Sequence, residues 1–174
     1  LDGKVFEGAH AGGAELGHTS LICGGEPCTC GRKGCVGAYV SATALIRDAK
    51  RAAQQYPESS LNAMCEGDLS HMNGKIPFDA AQDGDTAAEK VVNDYICYLG
   101  ETITNFVNIF RPDIVLLSGG IYNQGKKLTE PLETYIQDKC FGGSKAFIPK
   151  VACAVLGNKA GIIGAANLTG GKER

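Results

Sequence analysis

The sequence lacks several features that would indicate a membrane-spanning helix, nucleic-acid binding or a P-loop phosphate site. No apolar run approaches the roughly 18 residues that a membrane-spanning helix needs. There is no basic run or basic-aromatic pattern, and the formal net charge is −2, which argues against nucleic-acid binding by this segment. The G-x-x-x-x-G-K-[ST] motif, internal repeats and low-complexity tracts are also absent. A globular domain without a membrane or nucleic-acid partner is therefore expected.

The eight cysteines allow two interpretations. An even number permits a disulfide framework. However, 174 residues suffice for a hydrophobic core in one domain without crosslinks. Four cysteines lie singly in helix-like or strand-like contexts, where a reduced thiol acts as a small apolar group: Cys65, Cys97, Cys140 and Cys153. We predict a cytoplasmic protein with mostly reduced thiols. The sequence begins without Met in a strand-like segment, so we expect a piece of a longer protein.

Hydrophobic periodicity predicts helices alternating with strands after a long loop region. Ser41 is the predicted N-cap of the first helix, with Arg47 and Arg51 on its solvent face. Both strands are interpreted as buried because their apolar runs are continuous, and the element order predicts an α/β domain with a mostly parallel sheet. The predicted elements are a hairpin (1–8), a Gly- and Cys-rich loop (8–37), a helix (39–55), mixed turns with a short helical piece (57–84), a long helix (85–110), a strand (113–120), a helix (124–140), a strand (149–156) and a final helix opened by a loop (157–168).

The long helix carries the clearest pattern. Asp85 is its predicted N-cap, and Arg111-Pro112 ends it. One apolar stripe at helical spacing is predicted to face a core or an interface: Ala88, Val92, Ile96, Leu99, Ile103, Phe106 and Phe110.

A cysteine and histidine motif lies in the loop region. His18, Cys28, Cys30 and Cys35 have the form H-x9-C-x-C-x4-C. Three Cys and one His form a closed tetrahedral ligand set for Zn²⁺, and a closed set is usually structural. Metal binding would supply the folding energy that a glycine-rich loop cannot obtain from apolar burial. The tight C-x-C spacing leaves an accidental cluster or a disulfide as the alternative, although Cys28 and Cys30 would pair poorly with each other.

Glu15 precedes this histidine in the stretch AELGH. Its carboxylate could orient the imidazole of His18 through a hydrogen bond. It could equally point into a ligand site, and position alone does not separate the two. His10 and His71 have no comparable neighbours and are interpreted as ordinary polar residues.

Two glycine motifs follow the predicted strands. Gly119 and Gly120, in the stretch SGG after the first strand, could let a nucleotide approach the backbone at a sheet crevice. A tight turn without a ligand is the alternative. Gly161 and Gly164 in the last segment indicate close helix packing more often than binding.

Five segments together resemble the ROK family of bacterial glucokinases, related sugar kinases and sugar-responsive repressors. They are GAHAGGAELGH, CTCGRKGC, YVSATALIRDA, PDIVLLSGGI and LGNKAGIIGAANL, and they extend from Gly8 to Leu168. The resemblance implies a two-domain, ribonuclease H-like (actin-like ATPase) architecture, with residues 1–174 as its C-terminal domain. It implies that His18, Cys28, Cys30 and Cys35 bind a structural zinc.

The same resemblance assigns further roles. Glu15 and His18 match the family's sugar contacts, and Gly119 and Gly120 match its nucleotide-side loop. ATP, Mg²⁺ and a hexose are implied as cofactors and substrate of the full-length protein, and a homo-oligomer is implied. The family's D-x-G-G-T phosphate loop and catalytic aspartate belong to the N-terminal domain, so no catalytic residue is expected in this chain, which alone should be inactive.

One position departs from the family pattern. Family sugar kinases carry a sugar-binding Glu two residues after the third zinc cysteine, where this sequence has Gly37. We predict phosphorylation of a hexose, glucose to glucose 6-phosphate, by the full-length protein. The alternatives are a sugar-sensing repressor of the same family, with a helix-turn-helix upstream, and a zinc-stabilised scaffold without a ligand.

Overall fold

The computed structural model describes residues 4–10, 12–145 and 147–170. Short 3₁₀ turns connect the elements, and one of them, Leu16–His18, carries part of the cysteine and histidine motif. None of the helices in the described ranges is long and apolar enough to cross a membrane. The elements are α1 (Gly37–Val40), α2 (Ala42–Gln55), α3 (Ser60–Met64), α4 (Ile76–Gln82), α5 (Thr86–Phe110), β1 (Ile114–Leu117), α6 (Lys126–Lys139), β2 (Lys150–Cys153) and α7 (Ala160–Gly170).

Helix α5 is the centre of the structure and confirms the predicted long helix. The Asp85 side chain accepts a hydrogen bond from the Ala88 N–H at 2.8 Å, which satisfies one of the free donors at the helix start. The helix ends at Phe110, after which Arg111 turns into the left-handed region with φ 45°. Pro112 disfavours helical backbone at the residue before it, which explains why the helix stops there.

The buried surface of α5 is wider than the predicted stripe. Ala88, Ile96, Leu99 and Ile103 are buried as expected, whereas Val92, Phe106 and Phe110 are only half-buried. Additional residues are buried on adjacent faces: Val91, Tyr95, Thr102 and Val107. The reason is that α5 contacts four helices, α1, α2, α4 and α6, so the core surrounds more than one of its faces.

The predicted helix over residues 39–55 is two helices, α1 and α2, separated at Ser41. Ser41 is extended, and its hydroxyl accepts from the Ala44 N–H at 3.1 Å, which confirms it as the N-cap of α2. The prediction that Arg47 faces solvent is wrong, because its side chain is only 27% exposed and donates to the Ala38 carbonyl at 2.9 Å. Arg51 is 55% exposed, as predicted.

Strands β1 and β2 pair in parallel, with Ile114 opposite Lys150 and Leu117 opposite Cys153. This confirms the predicted parallel arrangement around helix α6. The prediction that both strands are buried is wrong for β1, because Ile114 is 45% exposed and Leu116 is 59% exposed. Only the face that carries Val115 and Leu117 packs on the core, so the other face stays uncovered by the described residues.

The start of the chain differs from the prediction, whereas the end agrees with it. Residues 1–3 of the predicted hairpin lie outside the described residues, and residues 4–8 contain no strand. The predicted loop and final helix are observed, as a 3₁₀ turn over Gly157–Lys159 followed by α7. Residues 161–167 of α7 are all exposed although the helix is strongly apolar, with Ile162 at 76%.

Candidate functional site

The cysteine loop is held in shape by short backbone bridges and one glycine. Ser20 pairs with Cys35, and Pro27 pairs with Lys33, each as an isolated antiparallel bridge. At Gly34, with φ 84°, a Cβ atom would lie 1.6 Å from the Ile22 carbonyl oxygen, so only glycine fits. These contacts fold a segment with few apolar residues back on itself.

The loop brings the four predicted ligand residues together. One ligand atom from each of His18, Cys28, Cys30 and Cys35 lies within 4.8 Å of all the others. The Cys28 Sγ atom is 3.5 Å from His18 Nδ1, and the Cys30 and Cys35 Sγ atoms are 3.7 Å apart. All eight cysteines are free thiols, in agreement with the prediction of a reduced protein. The group could hold a metal ion.

The thiols of this cluster differ in acidity. The pKa of Cys28 is lowered to about 6, chiefly because it accepts a hydrogen bond from the Cys30 backbone N–H. Burial raises the pKa of the Cys35 thiol to about 11. At neutral pH the cluster therefore contains a ready thiolate at Cys28 and a thiol at Cys35 that a metal would have to deprotonate.

Glu15 and His18 lie at the two ends of one tight turn. The Glu15 carbonyl accepts from the His18 N–H at 3.0 Å, and Ala14 before it has φ 63°. The Glu15 side chain is exposed and forms no hydrogen bond with the imidazole in the described part of the chain. The structure thus gives no support to Glu15 as a partner that orients His18. Because His18 turns Nδ1 toward Cys28, its Nε2 stays available to a second ligand.

Gly119 and Gly120 lie in the turn after β1, at the carboxyl end of the parallel strands. Gly119 has φ 99°, and a Cβ atom there would meet nothing within 4 Å, so the turn is open. The neighbouring Ser118 hydroxyl donates to the Gly157 carbonyl at 3.3 Å, which joins this turn to the loop that follows β2. Such a crevice is where open α/β sheets bind ligands. At Gly120, a Cβ atom would lie 3.9 Å from the Ala42 Cβ atom at the start of α2, which is ordinary van der Waals distance.

Sequence reasoning missed the residues that anchor the cysteine loop. Glu26 accepts from Arg51 at 2.5 Å and lies 3.7 Å from Arg47, both on α2. The Arg51 guanidinium holds the pKa of the Glu26 carboxyl below its usual range. Arg32 donates to the His18 carbonyl at 2.9 Å. Two arginines one helical turn apart were a usable signal, since such a pair needs an anion in reach.

Comparisons with known proteins agree with these features. The family model of the ROK family matches residues 1–172. The glucokinase of Thermotoga maritima is 34% identical over 172 residues, which are 99% of this chain and 53% of that protein. The N-acetylglucosamine repressor of Escherichia coli O157:H7 is 27% identical over 159 residues, which are 86% of this chain and 36% of the repressor.

A solved structure shares the fold. The crystal structure of a ROK family glucokinase from Streptomyces griseus, in complex with glucose and AMPPNP, superposes with a TM-score of 0.85 and 30% identity, covering 95% of this chain and 54% of that one. The chain spans about half the length of the glucokinases it matches. The mixed α/β fold agrees with these matches. This chain belongs to the ROK family, because the family model matches nearly all of its residues and the glucokinase of Thermotoga maritima is 34% identical to it.

Proposed function

We propose that this chain is the C-terminal domain of a sugar kinase that transfers the γ-phosphoryl group of ATP to glucose and releases glucose 6-phosphate. The observation that carries the proposal is the Glu15–His18 turn joined to the cysteine cluster, in a chain that superposes on a glucokinase bound to glucose and AMPPNP. A polar turn exposed beside a rigid cluster is suited to hold a sugar hydroxyl in place.

The ligand set and its distances support zinc as the metal. Zn–S bonds of about 2.3 Å and a Zn–N bond of about 2.0 Å at tetrahedral angles separate two sulfurs by about 3.8 Å and a sulfur from the nitrogen by about 3.5 Å. The separations here are 3.7 Å for Cys30 and Cys35 and 3.5 Å for Cys28 and His18. Four protein ligands leave no open position, so the zinc would be structural and would stabilise the loop.

Two groups of residues are assigned to the substrates. Glu15 and His18 would contact the sugar, with His18 using Nδ1 on the metal side and Nε2 on the sugar side. Gly119 and Gly120 would line the nucleotide crevice, where a backbone without side chains allows ATP and its Mg²⁺ to come close. Holding the hydroxyl and the phosphoryl group in line is a large part of catalysis in phosphoryl transfer.

The remaining catalytic parts are assigned to an upstream domain. The chain covers about half of its glucokinase relatives, so a phosphate loop and a catalytic aspartate from the other half are expected. Exposed apolar side chains on β1 and α7, among them Leu116 and Ile162, support a covering domain, because uncovered apolar surface of this kind is costly in water. The cytoplasmic location of the protein and its assembly as a homo-oligomer stay predictions.

Gly37 is the position at which we expect the sugar site to differ. It is the first residue of α1, and a Cβ atom there would lie 3.3 Å from the Gly17 carbonyl, within the Glu15–His18 turn. A glycine supplies no carboxylate to a sugar hydroxyl. We therefore expect weaker glucose binding than in kinases with Glu at this position.

The test is a coupled assay of glucose 6-phosphate formation by the full-length protein with ATP and glucose. Glu15→Gln should lower kcat/KM by roughly 10- to 100-fold, the usual effect of losing a hydrogen bond to a charged group. Glu58→Gln is the matched control, because Glu58 is exposed and follows α2 in the chain, outside the Glu15–His18 turn. Equal activity in both variants would refute the sugar contact.

A sugar-sensing repressor is the second candidate, supported by the match to the N-acetylglucosamine repressor. In that case the chain would bind sugar without phosphorylating it. Full-length protein that binds glucose but produces no ADP would favour this candidate. An upstream helix-turn-helix instead of a D-x-G-G-T loop would point the same way.

A further inference from the structure

All polar groups of Glu26 have partners, in helices α1 and α2 and on the opposite side of the cysteine loop. Its backbone N–H donates to the Tyr39 hydroxyl oxygen at 2.7 Å. Its carbonyl accepts from the Gly34 N–H at 2.8 Å. Its carboxylate accepts from Arg51 at 2.5 and 3.3 Å and lies 3.7 Å from Arg47. One residue thus contacts α1, α2 and the opposite side of the loop.

The hydroxyl of Tyr39 is tightly enclosed. Tyr39 is 7% exposed, and its ring packs against that of Tyr98 with centroids 4.9 Å apart. A Cβ atom at position 25 would lie 1.9 Å from the hydroxyl oxygen, so Gly25 leaves the space that this oxygen fills. The hydrogen bond from Glu26 is therefore fixed in place by packing on both sides.

The same hydrogen-bond network continues to the Glu15–His18 turn. The Gly34 carbonyl accepts from the Leu21 and Ile22 N–H groups, and the Thr19 carbonyl accepts from the Val36 N–H at 2.9 Å. The Thr19 hydroxyl donates to the Leu16 carbonyl at 2.7 Å. A displacement at Glu26 would thus be transmitted through the loop to the turn itself.

We propose that Glu26 and Tyr39 are positioning residues for the sugar site, which fix the cysteine loop on helices α1 and α2 and so hold Glu15 and His18 in register. Neither residue belongs to the group of ligand residues or to the Glu15–His18 turn. This inference rests on the proposed kinase function. It separates two tasks within the loop: the ligand cluster closes the loop, and the Glu26 anchor sets its orientation.

The test compares Tyr39→Phe and Glu26→Gln in the full-length protein, by KM and kcat for glucose and ATP and by the rate at which EDTA removes zinc. Tyr39→Phe leaves the Glu26 N–H without an acceptor and should raise the KM for glucose roughly tenfold, about 1.4 kcal/mol. Glu26→Gln keeps both backbone hydrogen bonds of residue 26 and should raise the KM for glucose about threefold. The KM for ATP should stay within about twofold, and zinc should be released faster from both variants.

Tyr56→Phe and Asp94→Asn are the matched controls, because both residues line the same 330 Å³ cleft as Glu26 and Tyr39, but their side chains hydrogen-bond to Gln55 and Lys90 and not, among the described residues, to the cysteine loop. They should behave like the wild type. Unchanged KM for glucose in both test variants, or an equal rise in the KM for ATP, would overturn the inference. If Tyr39→Phe does not fold, Glu26→Gln decides.

A second readout separates this inference from the proposed function. Wild-type protein without glucose turnover would refute the kinase function alone. In that case the comparison of zinc release decides, since it requires no catalysis. Zinc-release rates equal to that of the wild type in both variants would then refute the inference that Glu26 and Tyr39 fix the cysteine loop on α1 and α2.

Discussion

The affinity of the cluster for zinc should depend steeply on pH, and the structure fixes the sign. The pKa of Cys28 is about 6, so its sulfur is mostly thiolate above about pH 7. The pKa of Cys35 is about 11, so its thiol keeps its proton up to about pH 9. Zinc binds thiolates, and each ion bound must therefore displace at least the Cys35 proton.

The magnitude follows from proton linkage. While Cys35 is protonated in the metal-free state, each rise of one pH unit should increase the apparent zinc affinity by about tenfold. Cys28 adds almost no further slope above about pH 7, because it has already lost its proton in the metal-free state. The expected slope of log affinity against pH is hence at least about 1 between about pH 7 and about pH 8.5.

The assay is a competition between the metal-free full-length protein and a chromophoric chelator whose zinc affinity is known at each pH. Cys35→Ser removes the titrating ligand and should reduce both the affinity and the slope. A wild-type slope below about 0.5 would show that Cys35 is already ionised or does not bind the metal. Both explanations of such a slope would refute the assignment of Cys35 as a zinc ligand that burial keeps protonated.

Further predictions concern the fold. Asp85→Ala removes the N-cap of α5 and the hydrogen-bond acceptor for Ser59 and Ser60. It should lower the free energy of unfolding, measured by urea titration, by roughly 3 kcal/mol. A loss under about 1 kcal/mol would contradict the capping role of Asp85. Gly25→Ala should destabilise through the clash with the Tyr39 hydroxyl, and adding Tyr39→Phe should recover part of the loss in melting temperature; purely additive losses would contradict the packing described.

The sequence was most informative where local patterns decide the structure. Helix α5 could be placed within one residue because its N-cap, its apolar spacing and its terminating Arg-Pro pair are all local signals. The ligand cluster could likewise be proposed from spacing, since zinc requires thiols and imidazoles within a short reach.

Long-range packing could not be predicted in the same way. The apolar run of β1 indicated a buried strand, but whether a second layer covers Ile114 and Leu116 depends on residues outside the described chain or on another domain. Helical phase predicts that Arg47 faces solvent, yet its guanidinium donates to the Ala38 carbonyl and lies 3.7 Å from the Glu26 carboxylate, so that it lines a cleft. Such contacts between distant residues leave no periodic signal in one sequence.

The central claim is that a metal-closed loop presents Glu15 and His18 to glucose. Calorimetric titration of glucose into full-length protein, before and after removal of zinc with a chelator and with zinc restored, tests it most directly. We predict saturable binding to the zinc-loaded protein, at least about tenfold weaker binding after removal, and recovery on adding zinc back. Absence of binding to the zinc-loaded protein, or equal affinity without the metal, would contradict the account.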